Sequence, residues 1–189
     1  LAIIVTPDTP SHVVQYAVKE LQWHVHRATG VTLSVVAESD ADAAALKDHL
    51  YVGQGIVTKH VGIDASDLAP NSFIKKTTTE AVFLIGKDDN GKPDEPATRS
   101  YAAHWKDFTI GAPPLDDAVS MGTLFAVYDW LENQVGAKWL WPGESGTVVP
   151  AAKVLFAGNP RQKKVIPALI HSRPRLNAWK GMDPNFKDQ

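Results

Sequence analysis

The stretch "GTLFAVYDWLENQVGAKWLWPGESGTVVP", Gly122 to Pro150, decides how this chain is read, because three of the six tryptophans fall in it with a phenylalanine and a tyrosine. Leu124, Val127, Tyr128, Leu131 and Val135 share one side of a helix at about 100° per residue, and Gly136 supplies the stop. That stripe predicts a helix lying on a core. Phe125 and Trp130 flank the stripe and need a cover, either local or from a neighbouring domain, while Asp129, Glu132 and Asn133 face water. Ala137 to Trp141 then reads as a strand with Trp139 and Trp141 on one side, where large residues are ordinarily buried. Pro142-Gly143 ends it.

Working outward, Ile3-Ile4-Val5 is a short β-branched run closed by Thr6-Pro7, as expected of a buried strand. A helix follows, with Thr9 as its cap and Pro10 in its first turn. Val14, Ala17, Val18, Leu21, Val25 and Ala28 recur at spacings of three and four, up to Gly30. Thr32 to Ala37 and Leu50 to Gly53 read as strands, with a short helix between them from Asp40 to His49. Ser72 to Thr79 and Glu80 to Gly86 pair as a predicted hairpin, and the turn formers from Lys87 to Pro93 open a long excursion to Ala118 without a clear period. Thr147 to Val149 and Val154 to Ala157 are further short strands. The compact unit is expected to span residues 1–158, and residues 159–189 read as a linker, Arg161-Gln162-Lys163-Lys164 being a solvated part of it.

At 189 residues the chain accommodates one well-buried domain plus a tail, and 44% hydrophobic with 21% charged residues is ordinary for a globular protein. A net charge of −2 argues against nucleic acid as a partner. No apolar run approaches the roughly 18 residues of a membrane span, and no signal peptide is visible. The absence of cysteine removes disulfides, thiolate metal sites and a cysteine nucleophile. The chain begins at Leu1 on a predicted strand, which reads as a processed protein or a segment of a longer one.

The motifs for enzyme chemistry are weak. Gly143-Glu144-Ser145-Gly146 misses the nucleophile-elbow pattern by one position and is better read as a turn. His24 and His26 lie about 200° apart on a helix, so they cannot ligate one metal together, and no metal or cofactor is expected. The pairs Asp88-Asp89 and Asp116-Asp117 are read as solvated loop residues rather than a glycosidase acid and nucleophile. Gly53-Gln54-Gly55 holds too few glycines to argue for a phosphate cradle. An enzyme built on His104 or the acidic pairs is the least favoured reading.

Gly122 to Glu132, Gly136 to Gly143 and Val149-Pro150 resemble the amino-terminal domain that precedes the catalytic barrel in bacterial α-glucuronidase-like and related glycoside hydrolases. That domain type is in turn similar to the second domain of β-N-acetylhexosaminidases. Ile3-Ile4-Val5, Ala17-x-x-Glu20-Leu21, Ala28 to Val31 and Tyr51-Val52-Gly53 follow the same outline. The resemblance implies an α+β two-layer sandwich, a mixed β-sheet with two main helices on one face. It implies a non-catalytic domain that packs on and supports a (β/α) barrel, secreted or periplasmic, with the catalytic residues in the barrel. Candidate residues for a domain interface or for carbohydrate are Phe125, Trp130, Trp139, Trp141, Trp105 and Trp179. The alternative expectation is a stand-alone carbohydrate-binding module that stacks sugars on Trp139, Trp141 or Trp105.

Overall fold

The computed structural model describes residues 2–40, 49–88, 120–141, 144–152 and 161–166. The elements are β1 (Ile3–Thr6), α1 (His12–Thr29), β2 (Ser34–Ala37), β3 (His49–Val52), α2 (Ile56–His60), β4 (Phe73–Thr77), β5 (Ala81–Gly86), α3 (Gly122–Trp130) extended by a π-helical turn (Leu131–Val135), β6 (Lys138–Trp139), a 3-10 turn (Glu144–Gly146), β7 (Thr147–Val148) and β8 (Arg161–Val165). Six strands form one mixed sheet in the order β2-β1-β3-β5-β4-β8, and β6 and β7 form a separate two-stranded ribbon. The strands β2, β1, β3 and β5 run parallel, while β4 and β8 are antiparallel to their neighbours. This is the mixed α+β sandwich expected from the sequence.

The alternation along β1 sends Ile4 to one face and Ile3 and Val5 to the other. On the first face Ile4, Leu50, Val52, Val82 and Leu84 meet the apolar stripe of α1 and the inner side of α3. On the second, Ile63, Ala65 and Leu68 from the segment after α2 cover Ile74, Phe83 and Ile85. Both faces of the central strands β1 and β5 are therefore apolar, as parallel strands covered on both sides require.

α1 is bounded as its composition dictates, except at the cap. Ser11, rather than Thr9, accepts from the Val14 N–H, and Gly30 ends the helix at φ 75°. Every residue of the predicted stripe from Val14 to Ala28 is buried.

α3 buries most of the predicted stripe and more. Leu124, Val127, Leu131 and Val135 are buried as expected, but so are Gly122, Thr123, Ala126 and Trp130, which widens the buried arc toward the helix's small residues. The cause lies in its small residues. A side chain at Gly122 would strike the Ser72 carbonyl and the Lys87 amide, and one at Gly86 would strike the Gly122 backbone, so helix and sheet meet backbone to backbone. Thr123 Oγ1 accepts from the Gly86 N–H at 3.1 Å. With the Gly122-Thr123-Ala126 side inward, Trp130 is 2% exposed in the core and needs no outside cover, and Tyr128 moves to a flank.

Asp88 departs from the solvated-loop reading. Its Oδ1 accepts from the Thr123 N–H at 2.8 Å, capping α3 from the end of β5, and burial pushes its carboxyl up to about 6. Asp129 is likewise not free in water. It receives the buried Lys75 and, at 3.1 Å, Lys163. The basic stretch expected to be a solvated linker is thus β8, the edge strand whose Lys163 sits opposite Lys75. Asp129 compensates that like-charged cross-strand pair. The predicted helix after Asp40, the excursion to Ala118, the strand from Val154 and the tail beyond Ile166 lie wholly or largely outside the described residues.

Candidate functional site

The groove between α1 and α3 holds polar groups that the core reading of this region did not anticipate. Tyr16, Glu20 and His24 follow one another at four-residue spacing along one flank of α1, opposite Tyr128 of α3. Glu20 is 3% exposed and His24 fully buried. Tyr128 Oη donates to Glu20 Oε2 at 3.1 Å, and His24 Nδ1–H donates to the Glu20 carbonyl at 2.8 Å. Glu20 Oε1 and His24 Nε2 have no hydrogen-bond partner.

Burial dominates the titration of this cluster. It raises the Glu20 carboxyl against hydrogen bonds from Tyr128 and Tyr16 that pull it down, and it lowers His24. Burial and the adjacent Glu20 push Tyr16 up to about 12, and Tyr128 is raised for the same reasons. Burial thus disfavours the charged form of both His24 and Glu20, while the tyrosine hydroxyls favour the Glu20 carboxylate.

The roof over this cluster is Trp139. Its ring packs edge-on against His24 at 5.3 Å and Tyr128 at 5.0 Å between centroids. Trp23 closes the His24 ring from another side at 4.6 Å, with the Arg27 guanidinium 5.1 Å from the Trp23 ring and paired to Glu144. Gly136, at φ 79°, ends the helix and starts the chain across the helix layer. Leu140 N–H donates to the Gly146 carbonyl at 2.8 Å, and Trp141 folds back over Gly146, where any side chain would collide with it. Ala152 N–H then ties the exit of the ribbon to the Ala28 carbonyl at the end of α1.

Trp139 and Trp141 were expected to fill the core, and they do not. Trp139 is 39% exposed, Trp141 55%, Leu140 61% and Val148 47%. The β6–β7 ribbon is two residues wide on each side and lies over helices rather than inside a sheet, so only the inner face of Trp139 is covered. No family model matches the chain, and no curated protein matches its sequence.

Among the remaining candidates, Phe125 is partly buried against the main core, Trp130 belongs to that core, and Trp105 and Trp179 lie outside the described residues. Among the described candidates, Trp139 and Trp141 are the exposed ones. Glu20, His24 and Tyr16 were missed as a group, although two polar residues four apart on the flank of an apolar helix were a visible signal. Among the described residues no group of three or more His, Asp or Glu could hold a metal ion, and no helix is long and apolar enough to cross a membrane.

Proposed function

We propose that this chain is the non-catalytic amino-terminal domain of a bacterial, secreted or periplasmic glycoside hydrolase, and that it packs on and supports a (β/α) barrel. The observation that carries the reading is the exposure of large apolar side chains along the β6–β7 ribbon, Leu140 and Val148 away from the helices and Trp139 and Trp141 at its margin, each at least 39% exposed. Exposed apolar side chains gathered in one short ribbon suit an interaction surface. The ribbon lies within the Gly122–Pro150 block that carries the resemblance, and the two-helix, mixed-sheet arrangement is the one the resemblance implies. Glycosidase turnover by this chain alone on aryl glycosides or aldouronic acids would sink the proposal. An open reading frame that continues beyond Gln189 for the length of a barrel supports it.

The exposure of Trp141 favours a second reading, a carbohydrate-binding module, since its ring offers a face for a pyranose. Calorimetry and tryptophan fluorescence with xylan, chitin and glucuronoxylan fragments separate the two. The docking proposal predicts flat titrations at the indoles.

A further inference from the structure

The connection β1–α1–β2 places α1 on one face of the sheet, whereas the segment that leaves β3 places Ile63, Ala65 and Leu68 on the other. Consecutive connections thus diverge between the neighbouring parallel strands β1 and β3, and a crevice opens beyond their carboxyl ends, where open sheets with parallel strands bind ligands. A cavity of about 310 Å³ occupies that position. It collects the residues that follow β1, β3 and β5, the first turn of α1 and the segment after α2.

The walls are specific. Gly53, at φ 92°, lets the loop after β3 lie against the first turn of α1, since a side chain there would meet Val14 Cγ2 at 2.6 Å. The Gln54 amide is fully committed to the wall, donating to Thr58 Oγ1 and the Ile63 carbonyl and accepting from the Ala65 N–H at 2.6 Å. Pro7, Val14 and Ala65 supply apolar surface. Around them stand the hydroxyls of Thr9 and Ser11, the amines of Lys59 and Lys87, and the carboxylates of Asp64 and Asp88.

We propose that this carboxyl-edge cavity binds one neutral, polyhydroxylated sugar ring. Among the described residues two amines and two carboxylates leave no net charge to select an anion, and Asp64 lies close enough to Lys59 and Lys87 to feel both. What remains is a mixed set of donors and acceptors beside apolar side chains. Vicinal hydroxyls, each both donor and acceptor, suit that mixture, and the C–H face of a pyranose suits the apolar side chains. Asp88 is the principal acceptor, fixed in place by the Thr123 N–H. Ser11 Oγ accepts from the Val14 N–H and so keeps its own proton to donate.

The site is independent of the docking ribbon. Ser11 and Arg27 stand at opposite ends of α1, about 24 Å apart at 1.5 Å per residue, and among the described residues no tryptophan lines the cavity. Among the described residues the two share no side chain, so they can fail separately. The test is an amide NMR titration of the full chain with xylose, glucose and N-acetylglucosamine, with glucuronate and inorganic phosphate as anionic arms. The expected result is saturable shifts at Thr9, Ser11, Gln54, Ala65 and Gly86 with the neutral sugars. Asp88→Asn, which keeps an acceptor for Thr123, should weaken binding about tenfold, and Lys87→Met should weaken it in the same direction. No saturation with any neutral sugar, a response to the anions alone, or shifts confined to the indoles of Trp139 and Trp141 would each overturn the proposal. So would binding that both variants leave unchanged.

Discussion

Replacing Trp139 with alanine removes the roof from the Glu20–His24 cluster. A tryptophan presents about 250 Å² and Trp139 is 39% exposed, so roughly 150 Å² is covered, equivalent to about 4 kcal/mol at 25 cal/mol per Å². Two effects reduce the loss. The space opens to solvent rather than leaving a sealed cavity, and water reaches Glu20 Oε1 and His24 Nε2, each of which costs about 1 kcal/mol while unpartnered. The net destabilisation is about 2 kcal/mol, read as a shift in urea midpoint at pH 7 without a change in slope. The sharper readout is His24 itself. Its lowered folded-state value means that its share of stability is present above the unfolded value near 6.5 and is lost as pH falls through the folded one. With the roof removed, the His24 ring should titrate closer to 6.5 by NMR, while Trp139→Phe should leave it depressed. A His24 value unchanged in Trp139→Ala would refute the assignment of Trp139 as the desolvating cover.

Three further outcomes follow from the packing. Asp129→Ala should cost about 3 kcal/mol by urea unfolding because it leaves the buried Lys75 amine unpaired, whereas Lys163→Ala, at an exposed lysine, should cost less than about 1 kcal/mol. Asp88, with its folded value raised to about 6, contributes stability that is present below its usual 3.8 and lost as pH rises through 6. Asp88→Asn should therefore gain on the parent between pH 4 and pH 7 in paired denaturation curves, and Asp88→Ala should lose about 1 kcal/mol of helix capping at pH 5. Gly86→Ala should cost about 3 kcal/mol or more by thermal unfolding, because its methyl group meets the backbone of Gly122 rather than a side chain that could turn away.

The sequence carried the sheet and α1 well, because β-branched runs and a three–four apolar period are local signals that tertiary packing reinforced. It carried α3 only in part. Leu124, Phe125, Val127, Tyr128, Trp130 and Leu131 ring most of that helix, so no single stripe fixed its rotation; the backbone contact of Gly86 with Gly122 did, and that contact joins residues far apart in the chain. The same rotation put Trp130 inside. β8 escaped because Arg161-Gln162-Lys163-Lys164 has no apolar alternation, and its place depends on pairing with β4 and on Asp129. Trp139 and Trp141 were legible as a pair on one side of a strand, but that strand's burial depends on which layer it joins, and a ribbon over helices covers Trp139 on one side only and leaves Trp141 more exposed still. The Glu20–His24 groove needed the partner helix to become visible.

The central claim is that the Trp139–Trp141 ribbon is a docking surface for a barrel. Hydroxyl-radical footprinting of both indoles, in this chain alone and in the polypeptide that joins it to the barrel, tests that directly. The account predicts strong labelling of Trp139 and Trp141 in the isolated chain and protection of both in the longer one. Equal labelling in the two would contradict it.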